Sequence, residues 1–139
     1  FEGNRALNGT GGAIFHNTLN ATTSLSKATF LANSAEAPTG SPVTPSGGAI
    51  QVGAGTTGNL LTVSYSRFAE NTVTTASGAS GSGSAVASAG GTVTAENNWW
   101  SCSTTPSAAP CNTASGAAID FDPWLRPLPP RCRSATVPR

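Results

Sequence analysis

Residues that could perform acid–base or metal chemistry are few in this chain. His16 is the only histidine, and no nucleophile elbow or orienting acid accompanies it. A solvent-facing or corner position is therefore expected for His16. Calcium needs six or more oxygens, preferably from converging carboxylates, but the six acids are dispersed. Asp120 and Asp122 share one predicted strand end, and Glu70 and Glu96 are the glutamates that adjacent repeats could bring together. We predict no catalytic residue, no metal site and no cofactor.

The three cysteines divide into a pair and a single residue. Cys102 and Cys111 flank an eight-residue loop rich in Pro, Ser and Ala, which is short enough for a disulfide. A disulfide there would stabilise the chain by about 2.5–3 kcal/mol in the loop-closure treatment and would indicate an oxidising compartment. The alternative is a pair of free thiols in a cytosolic protein. Cys132 is left without a predicted partner in this pair, so it is either a free thiol or available for a disulfide with another chain.

Two short motifs recur and must be positioned by a repeating structure. Gly-Gly-Ala-Ile stands at Gly11–Ile14 and Gly47–Ile50, and Phe-x-x-Asn begins at Phe1, Phe30 and Phe68. When Trp100 is added to the three phenylalanines, the spacings are 29, 38 and 32 residues. A short pattern repeated at such intervals is typical of structural units stacked on one another.

The repeats have the local pattern of β-strands. Residues 61–65 alternate apolar and polar side chains and are rich in β-branched types, and residues 93–95 repeat this more weakly. No segment has the apolar spacing of a convincing helix. The predicted fold is all-β, a right-handed single-stranded parallel β-helix of about three to four rungs. Paired glycines would turn one corner at positive φ, and the Asn of Phe-x-x-Asn would turn the opposite corner.

In that fold the repeated residues have structural roles. The aromatic rings would stack inside the coil at the strand separation of about 4.8 Å, and each asparagine would hydrogen-bond its own backbone or the asparagine of the next rung. An exposed sugar-binding platform is the functional alternative for the rings. The residues assigned to stack and corners are Phe1, Asn4, Phe30, Asn33, Phe68, Asn71, Asn98 and Trp100.

Composition and charge narrow the function classes. Ala, Ser, Thr and Gly make up 74 of the 139 residues, which suits a narrow core one rung wide. Four of the seven basic residues, starting with Arg126, lie in the last 14 positions, so the remainder is mildly acidic. That distribution argues against nucleic-acid binding by residues 1–125. The sequence contains no apolar run of 18 residues, so no transmembrane helix is predicted. Variable segments 34–46, 72–82 and 101–115 are predicted to emerge as loops at one edge, often the binding edge.

The paired motifs resemble the repeats of chlamydial polymorphic outer membrane proteins and related bacterial autotransporter passengers. The segment from Asn97 to Cys102, Asn-Asn-Trp-Trp-Ser-Cys, is similar to the last rung of secreted bacterial β-helix repeat proteins, with Ser101 where glycine is usual. Asp122-Pro-Trp-Leu125 adds to that similarity. The resemblance covers roughly residues 1–125 and implies a bacterial, secreted or surface-displayed solenoid, commonly adhesive and commonly not an enzyme. Polysaccharide lyases share the architecture, so the fold alone excludes no chemistry.

We therefore expect a parallel β-helix over residues 1–125 and an extended or disordered tail over 126–139. The expected function is a non-enzymatic extracellular structural or adhesive solenoid, either a passenger fragment or a subunit stacking head to tail into filaments. The first rung, starting at the aromatic of Phe1-x-x-Asn4, would present a strand edge ready to pair. The alternative is a carbohydrate-active or carbohydrate-binding β-helix, with clustered carboxylates and exposed aromatics on one face.

Overall fold

A computed structural model describes residues 1–17, 21–53, 60–77, 83–107, 111–116 and 118–126. The tail 127–139, with Cys132, lies outside these residues. Within them the chain is all-β, with no helix. The thirteen strands are β1 Arg5–Leu7, β2 Ile14–His16, β3 Thr22–Ser26, β4 Thr29–Leu31, β5 Ser34–Glu36, β6 Ile50–Val52, β7 Leu60–Ser64, β8 Arg67–Ala69, β9 Thr72–Thr74, β10 Val86–Ser88, β11 Thr92–Thr94, β12 Ala114–Ser115 and β13 Ile119–Asp120.

Strands of successive repeats pair in parallel and form four stacked sheets. Their orders are β1-β5-β9, β2-β6-β10-β12, β3-β7-β11-β13 and β4-β8. We call residues 1–26, 27–64, 65–96 and 97–120 repeats 1 to 4. Isolated bridges from Glu2 to Leu31 and from Arg67 to Trp99 extend the smallest sheet into repeats 1 and 4. Every sheet is therefore built by adding the same element of the next repeat.

The hydrophobic core lies between the sheets and consists of one apolar column from each. Ile14, Ile50 and Val86 are register partners, and the column Leu61–Val93 in the neighbouring sheet is fully buried. Alternate residues of a strand face opposite sides, so small and polar residues occupy the outer faces. Gln51 departs from this alternation: it is buried, and so are its two neighbours in β6.

The predicted glycine corners are confirmed. Gly11 and Gly47, the first glycines of the two motifs, have φ of 69° and 63°. A Cβ on the second glycine, Gly12 or Gly48, would collide with carbonyl oxygens of neighbouring repeats. The first position therefore requires the left-handed conformation, and the second requires the absence of a side chain.

The asparagine of Phe-x-x-Asn lies at the opposite corner but does not itself take positive φ. The residue before it takes that conformation, with φ of 52° at Ala32 and 57° at Glu70. The turn thus comes one residue earlier, and the asparagine begins the next straight segment with its side chain directed inward. The segments predicted as loops also start with strands, since 34–36 and 72–74 are β5 and β9.

Candidate functional site

Aromatic rings form a continuous stack through the interior. Adjacent ring centroids are 4.8 Å apart between Phe1 and Phe30, 4.9 Å between Phe30 and Phe68, and 4.7 Å between Phe68 and Trp100. The planes are within 15° of parallel. This spacing equals the strand separation of a sheet, because each ring sits at the same register position of β4, β8 or their extensions. Phe30, Phe68 and Trp100 are fully buried.

A ladder of asparagine amides runs beside the ring stack. Asn4 donates from its backbone N at 3.1 Å and from its Nδ2 at 2.9 Å to the Oδ1 of Asn33. Asn33 donates in the same way to Asn71, at 3.1 and 2.9 Å. Asn71 donates at 3.1 and 2.7 Å to Asn112. The Oδ1 atoms of Asn33, Asn71 and Asn112 therefore each accept two hydrogen bonds from the preceding repeat.

The Nδ2 group of each inner asparagine has a second acceptor. Asn33 donates to the carbonyl of Phe1 at 3.2 Å, and Asn71 donates to that of Phe30 at 2.9 Å. The two parts of Phe-x-x-Asn are thus joined across repeats by a hydrogen bond. Satisfying both polar ends of a buried amide avoids a desolvation cost of about 1–3 kcal/mol.

Asn98, which the sequence analysis grouped with these asparagines, belongs to another corner. Its Oδ1 accepts from the backbone N of Ser66 at 2.8 Å, and its Nδ2 donates to the carbonyls of Val63 and Ala95 at 2.6 Å each. The fourth ladder position belongs to Asn112, which sequence reasoning missed. Asn98 lies two residues before Trp100, whereas the ladder asparagines follow their aromatic residue by three. It therefore lies near the start of β8, beside Ser66, and the ladder runs past the end of β8.

The ladder and the stack terminate differently at their two ends. We call the first the exposed end, formed by Phe1, Asn4 and strands β1 to β3. Phe1 is 53% exposed, and Asn4 Oδ1 accepts no hydrogen bond from the described residues. Leu7 and Phe15 are exposed as well. Repeat 1 therefore presents apolar and polar groups that every inner repeat satisfies with a neighbour.

The second is the covered end, formed by Trp100, Asn112 and the bond between Cys102 and Cys111. This disulfide closes the loop with Cα atoms 5.2 Å apart. Asn112 is buried and its backbone N donates to the Trp100 carbonyl at 3.0 Å. Beyond it, Phe121 and Trp124 meet edge to face with centroids 6.3 Å apart. Both rings of this T-shaped pair are partly buried against the core.

One outer column combines arginine and tryptophan. Arg67 pairs with Trp99 across repeats, and its guanidinium carbon lies 4.7 Å from the indole centroid. Arg126 lies over Trp124 at 4.8 Å. Tyr65, at the corner before β8, is 62% exposed. Such cation–π contacts contribute about 0.5–1 kcal/mol at exposed sites. We call Arg67, Trp99 and the exposed Tyr65 the outer strip; Trp124 does not belong to it, because it packs against the core.

The residues considered for catalysis are not brought together. His16 is buried, 8% exposed, on β2 in register with Val52, so the expectation of a solvent-facing or corner position is wrong. Its Nε2 has no hydrogen-bond partner among the residues that the structure describes. Glu96 lies before the segment that pairs with β8, whereas Glu70 lies directly after β8. The two glutamates are therefore separated by the length of that strand. In the described part of the chain, no three His, Cys, Asp or Glu residues are placed to hold a metal ion.

Arg5 and Glu36 form an ion pair across β1 and β5, with the guanidinium N and the carboxylate O 2.5 Å apart. The hydrogen bond from Arg5 lowers the pKa of Glu36, and a second one from the Ser34 hydroxyl at 2.9 Å lowers it further. The same contact raises the pKa of Arg5. Both side chains reach solvent, so the pair is screened by salt.

Comparison of the chain with protein-family models, with curated proteins and with solved structures found no significant match. Among the described residues there is no helix of the length and apolarity needed to cross a membrane.

Proposed function

We propose that this chain is a right-handed parallel β-helix that serves as a non-enzymatic structural or adhesive solenoid outside the cell. Parallel strands in one sheet are joined by right-handed crossovers in nearly all known cases, which supports that hand. The single observation that carries the proposal is the interior. Rings, amides and aliphatic side chains fill it from repeat to repeat, so repeated residues hold the scaffold and variable outer segments are left for contact.

The disulfide supports the extracellular part of the proposal. Bridges such as that between Cys102 and Cys111 persist in oxidising compartments and are rare in the cytosol. The resemblance of the motifs to those of bacterial surface passengers also supports an extracellular location, and with it we propose a bacterial source.

The adhesive role can be tested by replacing the exposed turn 38–40 with Gly-Ser-Gly. We expect the thermal unfolding midpoint to stay unchanged while retention on immobilised extracellular matrix falls. Glu70→Gln, a change of an exposed residue outside that turn, is the control. Release of new reducing or unsaturated ends from a polysaccharide would contradict a non-enzymatic function.

Head-to-tail stacking into filaments is a narrower form of the proposal. It would place the Phe1 ring of one copy against the last repeat of the next. Trp100 is fully buried there, so a second copy finds no free ring to stack on. Electron microscopy at high protein concentration tests this form, and dispersed monomers alone would exclude it.

A second candidate function is carbohydrate binding, favoured by the outer strip. Tyr65, Trp99 and Arg67 present rings and a cation on one surface, a combination that suits an acidic sugar. Calorimetry with uronate oligosaccharides and Ca²⁺ separates the two candidates. Heat of binding that disappears in Arg67→Gln would support the second, and no heat would support the scaffold.

A further inference from the structure

We propose that the outer strip binds an acidic sugar unit of a polysaccharide, with a separate role for each of its three residues. Tyr65 is the platform for the sugar ring, Arg67 binds the carboxylate, and Trp99 positions the Arg67 side chain. The inference rests on the carbohydrate-binding candidate and deepens it by naming the group that each residue recognises. All three residues lie in repeats 3 and 4, on β8 and the segments that flank or pair with it.

The guanidinium of Arg67 is held on one side and free on the other. Its carbon lies 4.7 Å from the centroid of the Trp99 indole, so the guanidinium lies over one face of that ring. The side chain is exposed, and no described residue forms an ion pair with it or accepts a hydrogen bond from its guanidinium. A planar guanidinium with unpaired N–H donors recognises a carboxylate through two parallel hydrogen bonds.

The residues next to Arg67 and Tyr65 along the stack leave the guanidinium without a competing acid. Arg67 pairs with Thr29 on one side and with Trp99 on the other. At the corner before β8, the backbone N of Tyr65 donates to the Asn97 carbonyl at 3.1 Å. These neighbours carry a hydroxyl, an indole and an amide, and none carries a carboxylate. An anion is therefore the charge-complementary ligand of this surface.

Tyr65 has a backbone conformation that does not suit its side chain. Its φ is 51°, in the left-handed region, where a bulky residue is uncommon. Asn97 has φ of 58° at the same corner of the next repeat, and asparagine tolerates that region better. The Tyr65 ring is 62% exposed, so burial offsets little of the cost. An exposed ring in an unfavourable conformation suits a residue whose role is contact with a ligand.

The position of β8 inside its sheet argues for a sugar over a peptide strand. β8 pairs with β4 on one side and with the segment at Trp99 on the other, so no free edge accepts an added strand. Nucleic acid needs several cations along consecutive phosphates, whereas Arg67 is the single cation of the outer strip. A sugar ring offers C–H groups to the free ring of Tyr65 and a carboxylate to Arg67.

The test measures binding of oligogalacturonate to the disulfide-intact full chain by calorimetry, with calcium chelated. We expect saturable binding that weakens at least about tenfold for Arg67→Gln, because charge-assisted hydrogen bonds are lost. The fully methyl-esterified oligosaccharide should not bind, since it lacks the carboxylate. Arg67→Lys should not restore binding, because an ammonium lacks the planar pair of donors. Phe15→Ser removes an exposed ring from another sheet and should leave binding unchanged.

Two further variants separate ligand contact from structure. Tyr65→Asn should weaken binding but raise the thermal unfolding midpoint, because asparagine suits the positive φ and the lost ring is exposed. Trp99→Leu should weaken binding in the native chain and have no further effect in the Arg67→Gln background. Such non-additivity is expected when one residue acts through the other.

Four outcomes would overturn the assignment of roles while carbohydrate binding itself stands. They are binding that Arg67→Gln leaves unchanged, equal binding of the methyl ester, a Tyr65→Asn chain less stable than the native one, and a Trp99→Leu loss that persists without Arg67. Tighter binding of a single-stranded oligonucleotide or of polyglutamate would assign the strip to another polyanion. Absence of any oligogalacturonate binding would exclude the carbohydrate candidate as well, and the adhesion test at turn 38–40 would be unaffected.

Discussion

The exposed and covered ends of this molecule contain the same two interactions but surround them differently. At the exposed end the outermost ring and amide, Phe1 and Asn4, are in contact with solvent, and repeat 1 contains no cysteine. At the covered end Trp100 and Asn112 are buried, and the disulfide closes the chain directly beside them. Since a repeat is stabilised mainly by its neighbours, repeat 1 should open before repeat 4. Comparing the two ends therefore separates the stability that a repeat gains from its own contacts from the stability that it gains from the residues covering it.

The largest test of this contrast compares the two terminal rings. Trp100→Ala should reduce the free energy of unfolding by about 3–5 kcal/mol, because it removes a large fully buried ring. Phe1→Ala should cost much less, because that ring is half exposed and stacked on one side. Urea denaturation followed by far-ultraviolet circular dichroism measures both.

Trp100→Phe is the control for this comparison. It keeps a ring on Phe68 and removes the indole Nε1, which is buried without a partner in the described part of the chain, so its cost should be smaller than that of Trp100→Ala. Equal losses for Trp100→Ala and Phe1→Ala would show that the ends do not differ in stability.

Removal of the disulfide should have the next largest effect. The Cys102→Ser, Cys111→Ser double variant should lose about 2.5–3 kcal/mol, since the loop closed by nine residues of separation no longer restricts the unfolded chain. Cys132→Ser, at a position outside the described residues, is the control for thiol effects. Amide hydrogen exchange should show the loss of protection concentrated in repeat 4; a loss spread evenly over all repeats would argue against a local role.

In the amide ladder we expect a smaller difference in stability between a substitution of an interior asparagine and one of the terminal asparagine. Asn71→Leu removes the oxygen that accepts from the backbone N and Nδ2 of Asn33 and removes one of the two donors to Asn112 Oδ1, and we expect a loss of about 1–3 kcal/mol. Asn4→Leu should cost less, because water can replace its partners. Thermal unfolding of the two variants checks the order, and a greater cost for Asn4→Leu would contradict it.

The same contrast explains which parts of the fold sequence reasoning could reach. The β architecture and the parallel stacking of repeats followed from motifs that recur at a fixed register, because a stack forces equivalent residues into equivalent contacts. Strands β5 and β9 were missed, since three residues inside a segment rich in small residues are too short to show alternation. The signal was present in Thr72-Val-Thr74, whose central side chain is buried.

Boundary residues were harder to predict because they depart from the repeat. Asn112 has no aromatic residue three positions before it, and only its contact with Asn71 reveals the fourth ladder position. His16 could have been assigned to the interior, because it lies two residues after the inward-facing Ile14 on the same strand.

The smallest expected effect concerns the ion pair that joins repeat 1 to repeat 2. Its hydrogen bonds lower the pKa of Glu36 in the folded chain, so they contribute stability above the ordinary glutamate pKa. That contribution falls as the pH drops through the lowered folded value, where the carboxylate becomes protonated. Glu36→Gln should therefore be slightly less stable than the native chain at neutral pH and equally stable in acid.

Chemical denaturation at several pH values and at two salt concentrations measures this difference. Salt should reduce it at neutral pH, because both side chains are solvent-accessible. Glu70→Gln is the matched control, since Glu70 lies in an exposed corner after β8 and forms no ion pair among the described residues. Amide exchange should locate the effect in β1. A pH-independent difference for Glu36→Gln would show that packing, and not charge, holds repeat 1 against repeat 2.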